Sequence, residues 1–208
     1  MGSSRQTGLL LVIGTIVAAI GWFVLYLPLA GGSPDTSTAQ VAQNMIDSAT
    51  RAHWAVIFAY GGFISILVAL AFVARGMAMG GGAGAGNGNI GMILFLLFSA
   101  GVLIVFGLEW GAAGASSVEH GTLFLDLTGA ISTGGQIVLA IALALTTLGL
   151  LSEGNNPIAP LVLIVAAVLL ALNFVWPGIG AWSQFGAWIL FMLGTLILGI
   201  QTLGNSDS

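Results

Sequence analysis

Residues 90–108, IGMILFLLFSAGVLIVFGL, decide how the whole chain must be read. Nineteen residues without a charge make a helix of about 28 Å, close to the roughly 30 Å hydrocarbon core of a bilayer. The run is continuous in Leu, Ile, Val and Phe, whereas a barrel strand alternates over about ten residues, so it reads as a spanning helix.

Five further stretches meet the same length, at 9–29, 54–74, 127–151, 158–175 and 179–203. The expected fold is an all-α integral membrane protein, a six-transmembrane-helix bundle forming a single membrane domain over residues 1–208. Composition agrees: 58% of residues are hydrophobic, 5% are charged and the mean hydropathy is +1.09. A soluble domain carries about a quarter of its residues charged. The first stretch follows Arg5 as a signal peptide would, but it is longer than the usual 7–15-residue signal core. Trp22, Tyr26 and Pro28 give it the look of an interfacial anchor, so it is read as a retained helix.

Several functions are excluded by chemistry. With no cysteine, the chain has no disulfide, thiolate metal site or cysteine nucleophile. All three basic residues are arginines, Arg5, Arg51 and Arg75, so no lysine can form a Schiff base with retinal or pyridoxal phosphate. A net charge of −4 without a basic cluster argues against nucleic acid and against a polybasic lipid-binding patch.

Positive charge stays on the cytoplasmic side. Arg5 precedes the first helix and Arg75 ends the second, so both lie on one face, taken as cytoplasmic, with both termini; Arg51 alone dissents. The expected location is the cell membrane. The outer face then carries Asp35, Asp47, Arg51, Glu109, Glu119 and Asp126, hence the whole net charge of −4, with His53 and His120 beside them. Arg5, Arg75, Glu153 and Asp207 cancel on the inner face.

The glycine-rich segment 76–89, GMAMGGGAGAGNGN, reads as a flexible linker; a phosphate-binding loop would end in Gly-Lys-Ser/Thr after a strand. In the first outer loop, Ser37 and Gln40 form a capping-box pattern, followed by Val41, Ala42, Met45, Ile46 and Ala49 on one face. A short amphipathic helix is expected there, either flat on the membrane or packed on the bundle as a lid, with Asp47 and Arg51 paired at i, i+4. From Thr122 to Leu151 a helix would exceed the core thickness; Gly134-Gly135 is a candidate kink in its polar first half, which holds Asp126, Thr128, Ser132, Thr133 and Gln136. Trp110 to Ala115 and Trp176 to Ala181 share a weak Trp/Gly/Ala pattern, and the tryptophans read chiefly as an aromatic belt.

Glu109 ends the apolar run beside Trp110. A carboxylate at bilayer depth marks a partner or a pathway, whereas in the headgroup region it is unremarked; its neighbour Trp110 favours the headgroup position. His53, Glu109, Glu119, His120 and Asp126 form a candidate polar outer-face cluster of nitrogen and oxygen donors. Metal, or haem through His53 and His120, is a minor alternative, because no His-x3-His spacing occurs and Glu119 and His120 are adjacent. No cofactor is expected, and no catalytic triad ordering exists. Gln136, Asn173 and Gln184 are candidate intramembrane polar groups, with Asn173 or Gln184 able to bond Gln136 or Glu109 across the bundle. Tyr26 and Tyr60 carry no decided role. Gly61, Ser65, Gly107 and Gly111 are expected to let helices approach closely or to meet partner subunits.

The leading functional reading is a non-enzymatic structural or accessory subunit whose partners are the bilayer, other membrane subunits or itself. A small transporter or channel using Glu109 and the polar half of the fourth span is the alternative. A haem- or metal-binding membrane oxidoreductase subunit is the third.

Overall fold

The computed structural model describes residues 4–31, 36–176 and 181–204, the side chains of residues 181 and 182 excepted. Asp35, Asp207 and the Pro177-Gly178 turn fall outside these residues. The protein is an all-α membrane bundle, with six helices among the described residues long and apolar enough to cross a bilayer. Helix α1 (Ser4–Ala19) continues as a π-helical segment (Ile20–Tyr26). There follow α2 (Thr38–Asp47), α3 (Ala49–Gly80), α4 (Ala85–Ala113), α5 (Val118–Ser152), α6 (Ile158–Val175) and α7 (Ala181–Gly204).

The six spans close into a ring. Each packs on its neighbours in the order α1, α3, α4, α5, α6, α7 and back to α1, an up-and-down arrangement in which the connection from the first span to α3 carries α2. Helix α2 lies across one end, on α5, α4 and α3; that end is called the α2 end below, and the end carrying Ser4 and Gly204 the terminal end.

Ring closure relies on glycine. A methyl group at Gly14 would lie 3.0 Å from the Gly62 carbonyl, one at Gly62 would collide with the Ala18 nitrogen, and one at Gly21 would collide with Ala59. Bare backbone is therefore what lets α1 meet α3. Of the expected contact glycines, Gly111 meets α5, where a Cβ would lie 3.5 Å from the Phe124 ring, whereas Gly61 and Gly107 have nothing within 4 Å and face away from the other helices. The register differs by one residue in α3, which on a helix is a rotation of about 100°.

The 76–89 segment is mostly helical instead of a linker: only residues 81–84 separate α3 from α4. Gly81, at φ 65°, provides the left-handed stop that ends α3. Beyond it, glycine serves contact, because a side chain at Gly88 would strike the Ala74 carbonyl and one at Gly91 the Thr146 hydroxyl. Helices α3, α4 and α5 thus run past the expected 54–74, 90–108 and 127–151 spans. At 35 residues, α5 is about 52 Å long. It is helical without interruption through Gly134-Gly135, where Gly135 admits the Phe98 ring: a Cβ there would lie 2.7 Å from Phe98 Cε2.

Helix α2 is the lid of the two arrangements considered. Ser37 caps it by accepting from the Gln40 backbone N–H at 3.3 Å, and Ala42 and Met45 are both 0% exposed. Gly121 of α5 receives it, since a Cβ there would touch Ala42 at 3.2 Å. The Asn44 amide donates to the Leu29 carbonyl at 2.9 Å, tying α2 to the end of the first span. Asp47 and Arg51 do not pair. Ser48, at φ −120° and ψ 39°, breaks the helix between them; Asp47 accepts from Gln43 at 2.7 Å and Arg51 donates to the Val24 carbonyl at 3.0 Å.

Candidate functional site

The half of the ring nearer the terminal end is filled chiefly by apolar side chains. Leu11, Ile66, Leu67, Leu70, Leu139, Leu143, Leu163 and Phe191 are buried there, and the buried Thr15 and Thr195 hydroxyls lie 3.1 Å apart. Nearer the α2 end the ring is hollow, with a cavity of about 630 Å³. Its walls come from the π segment, α3, α4, α5 and α7.

The π segment is what shapes the first wall. Its wider turn, closed by Leu27 N–H on the Trp22 carbonyl at 2.8 Å, brings Trp22 and Tyr26 together with ring centroids 4.9 Å apart and planes tilted by 59°. Such wide turns recur at functional sites. Arg51 supports the segment from α3 by capping the Val24 carbonyl. Trp22 also lies 5.4 Å from the ring of Tyr60, edge on. The floor is a second aromatic group, Phe63 against Phe98 at 6.0 Å and against Trp188 at 5.5 Å.

Glu109 reaches into this space from α4. It is 2% exposed, so its carboxyl group is turned into the bundle interior. Its neighbour Trp110, by contrast, is exposed on the outside of the helix. Successive residues point about 100° apart, which is how one faces in and the next out. The Tyr60 hydroxyl donates to Glu109 Oε1 at 2.6 Å, and Tyr26 faces the same carboxyl group. Oε2 is buried with no hydrogen-bond partner among the described residues. An unsatisfied buried oxygen of this kind is costly unless something occupies the space before it.

From α5, Thr128, Ser132, Gly135 and Gln136 line the same cavity, as does Gln184 from α7. Gln136 is 7% exposed, and the Thr128 hydroxyl is buried with no partner among the described residues. The polar face of α5 is thus turned inward, while Asp126 and Thr133 on the same helix are exposed. Glu109, Gln136 and Gln184 therefore share one cavity. Asn173 does not join them: its amide donates to the Leu169 carbonyl at 2.9 Å and its oxygen accepts from Ser183 at 2.5 Å, linking α6 to α7.

The candidate outer-face cluster is dispersed. His53 stacks on Trp110 at 4.1 Å, with its Nε2 buried and unpartnered among the described residues. His120 is exposed, its Nδ1 3.5 Å from the Ser116 hydroxyl, and Glu119 and Asp126 are exposed too. No group of three or more His, Asp or Glu side chains that could hold a metal ion occurs among the described residues. The two imidazoles have separate partners.

Trp22, Tyr26, Tyr60, Phe98 and Trp188 line the site without having been assigned to it by the sequence. Trp22 and Trp188 read there as belt residues, yet both line the cavity, while Trp54, Trp110 and Trp176 are exposed as a belt requires. No protein-family model matches this chain, and neither the curated proteins nor the solved structures contain a match.

Proposed function

We propose that the protein is a small membrane transporter that holds its solute in the cavity, with Glu109 as the principal contact and Gln136, Thr128, Ser132 and Gln184 as further polar contacts. The observation that carries this reading is Glu109: a carboxylate 2% exposed, one oxygen fixed by Tyr60, the other unpartnered at the wall of a 630 Å³ cavity. Drug-sized ligands occupy clefts of roughly 300–1,000 Å³ lined mostly by apolar groups with a few placed polar ones. Buried ionisable groups within a membrane domain are expensive to retain and mark solute or ion paths. In the orientation favoured by Arg5 and Arg75, the cavity belongs to the outer half of the protein and the packed half forms its inner seal.

A thermal-shift screen of the purified protein against neutral, anionic and cationic small molecules, followed by flux of any hit into liposomes, tests this. A true solute at a hundredfold its Kd raises Tm by about 5–10 °C. Both the shift and the flux should be lost in the Glu109→Gln, Gln136→Ala double variant. A silent screen, or flux unchanged in that variant, overturns the reading.

A structural or accessory subunit is the second reading, favoured by Gly61 and Gly107, which leave open faces on adjacent α3 and α4. Recovery of a stoichiometric partner in mild detergent, released by Gly61→Trp, would support it; a clean single species counts against it.

A further inference from the structure

Resting on the solute-binding reading above, we infer that the cavity takes a hydrophobic organic monocation, an ammonium bearing apolar or aromatic substituents. Three rings line the cavity on the side of the carboxyl group, the two tyrosines facing it directly. Trp22 stands 4.9 Å from Tyr26 and 5.4 Å from Tyr60, and Tyr60 holds Glu109 Oε1 at 2.6 Å. Ring faces attract cations through their quadrupole, and several rings around one site form the cage by which quaternary ammonium groups are recognised. Glu109 Oε2, buried and unpartnered among the described residues, completes the charge pairing.

The rest of the lining narrows the choice. Among the described residues no arginine or histidine lines the cavity, so an anion would meet Glu109 with no compensating charge. A neutral hydrocarbon would fill the aromatic floor of Phe98 and Trp188 but offer no partner to the buried Oε2. Calcium-type sites draw on several carboxylates, and Glu109 is the one carboxyl group lining this cavity among the described residues. An organic cation satisfies the carboxylate, the rings and the apolar floor together.

Isothermal titration of the detergent-purified full chain, against an empty-micelle blank, separates these options with three probes of similar shape. They are phenyltrimethylammonium, its neutral isostere tert-butylbenzene, and the anion benzenesulfonate. The cation should bind about tenfold or more tighter than the isostere, Glu109→Gln should abolish most of that preference, and Tyr60→Phe should reduce it. If Glu109→Gln fails to fold, Trp22→Leu provides the same readout by opening the cage. Equal binding of cation and isostere, tightest binding of benzenesulfonate, or no binding by any of the three overturns the cation class. The solute-binding reading falls only if the broad thermal-shift screen is silent as well.

Discussion

Glu109 and Tyr60 come from residues 49 positions apart and meet only because α3 and α4 pack along their length. Removing the phenol hydroxyl takes its donor from Oε1 and leaves only Tyr26 facing the carboxyl group, and a buried acceptor that loses its donor costs about 1–3 kcal/mol. Tyr60→Phe should therefore lower the unfolding midpoint of the purified protein. In a Glu109→Leu background the same change should be nearly neutral, because the oxygen that needed the donor is gone. Equal effects in the two backgrounds would show that the two side chains are not coupled. The sequence marks Glu109 by the end of its apolar run, and marks Gln136 by its polar stretch. It leaves Tyr26 and Tyr60 unmarked, since a tyrosine near an interface looks the same whether it faces lipid or a carboxylate.

Between helices, the contact of α1 with α3 depends on which glycine faces inward. Gly62 faces Gly14 and Ala18, and Gly61 faces open space. Gly62→Val should destabilise the protein by several kcal/mol through overpacking of backbone on backbone. Gly61→Val, one residue away, should stay within about 0.5 kcal/mol; comparable losses for the two variants in the same melt would refute the register. The sequence reveals that small residues are present but not the phase of the helix, because α3 is apolar on every side and carries no amphipathic signal. The same limit hides the glycine contacts of residues 84–91, which by composition alone resemble a linker. Helix α2 is the opposite case. Its Ser37 cap and its Ala42, Met45 stripe are local signals and legible, whereas its docking on α5 through Gly121 is a tertiary fact.

Across the whole molecule, the number of spans was readable because hydrocarbon thickness imposes it on any chain. The ring and its half-filled interior were not readable. They depend on the π segment at Ile20–Tyr26, on aromatic residues turned inward, and on the tight packing of Leu67, Leu143 and Phe191 toward the terminal end. The resulting asymmetry is the central claim: a hollow half holding Glu109, and a sealed half behind it. The chain has no native cysteine, so single cysteines can report on each half without background. Labelling of Ser132→Cys, Gln184→Cys, Thr15→Cys and Thr195→Cys in intact membranes by a small thiosulfonate reagent tests it most directly. The structure predicts rapid reaction at positions 132 and 184, slowed by a bound cation, and none at positions 15 and 195. Equal reaction at all four positions, or reaction confined to 15 and 195, would contradict it.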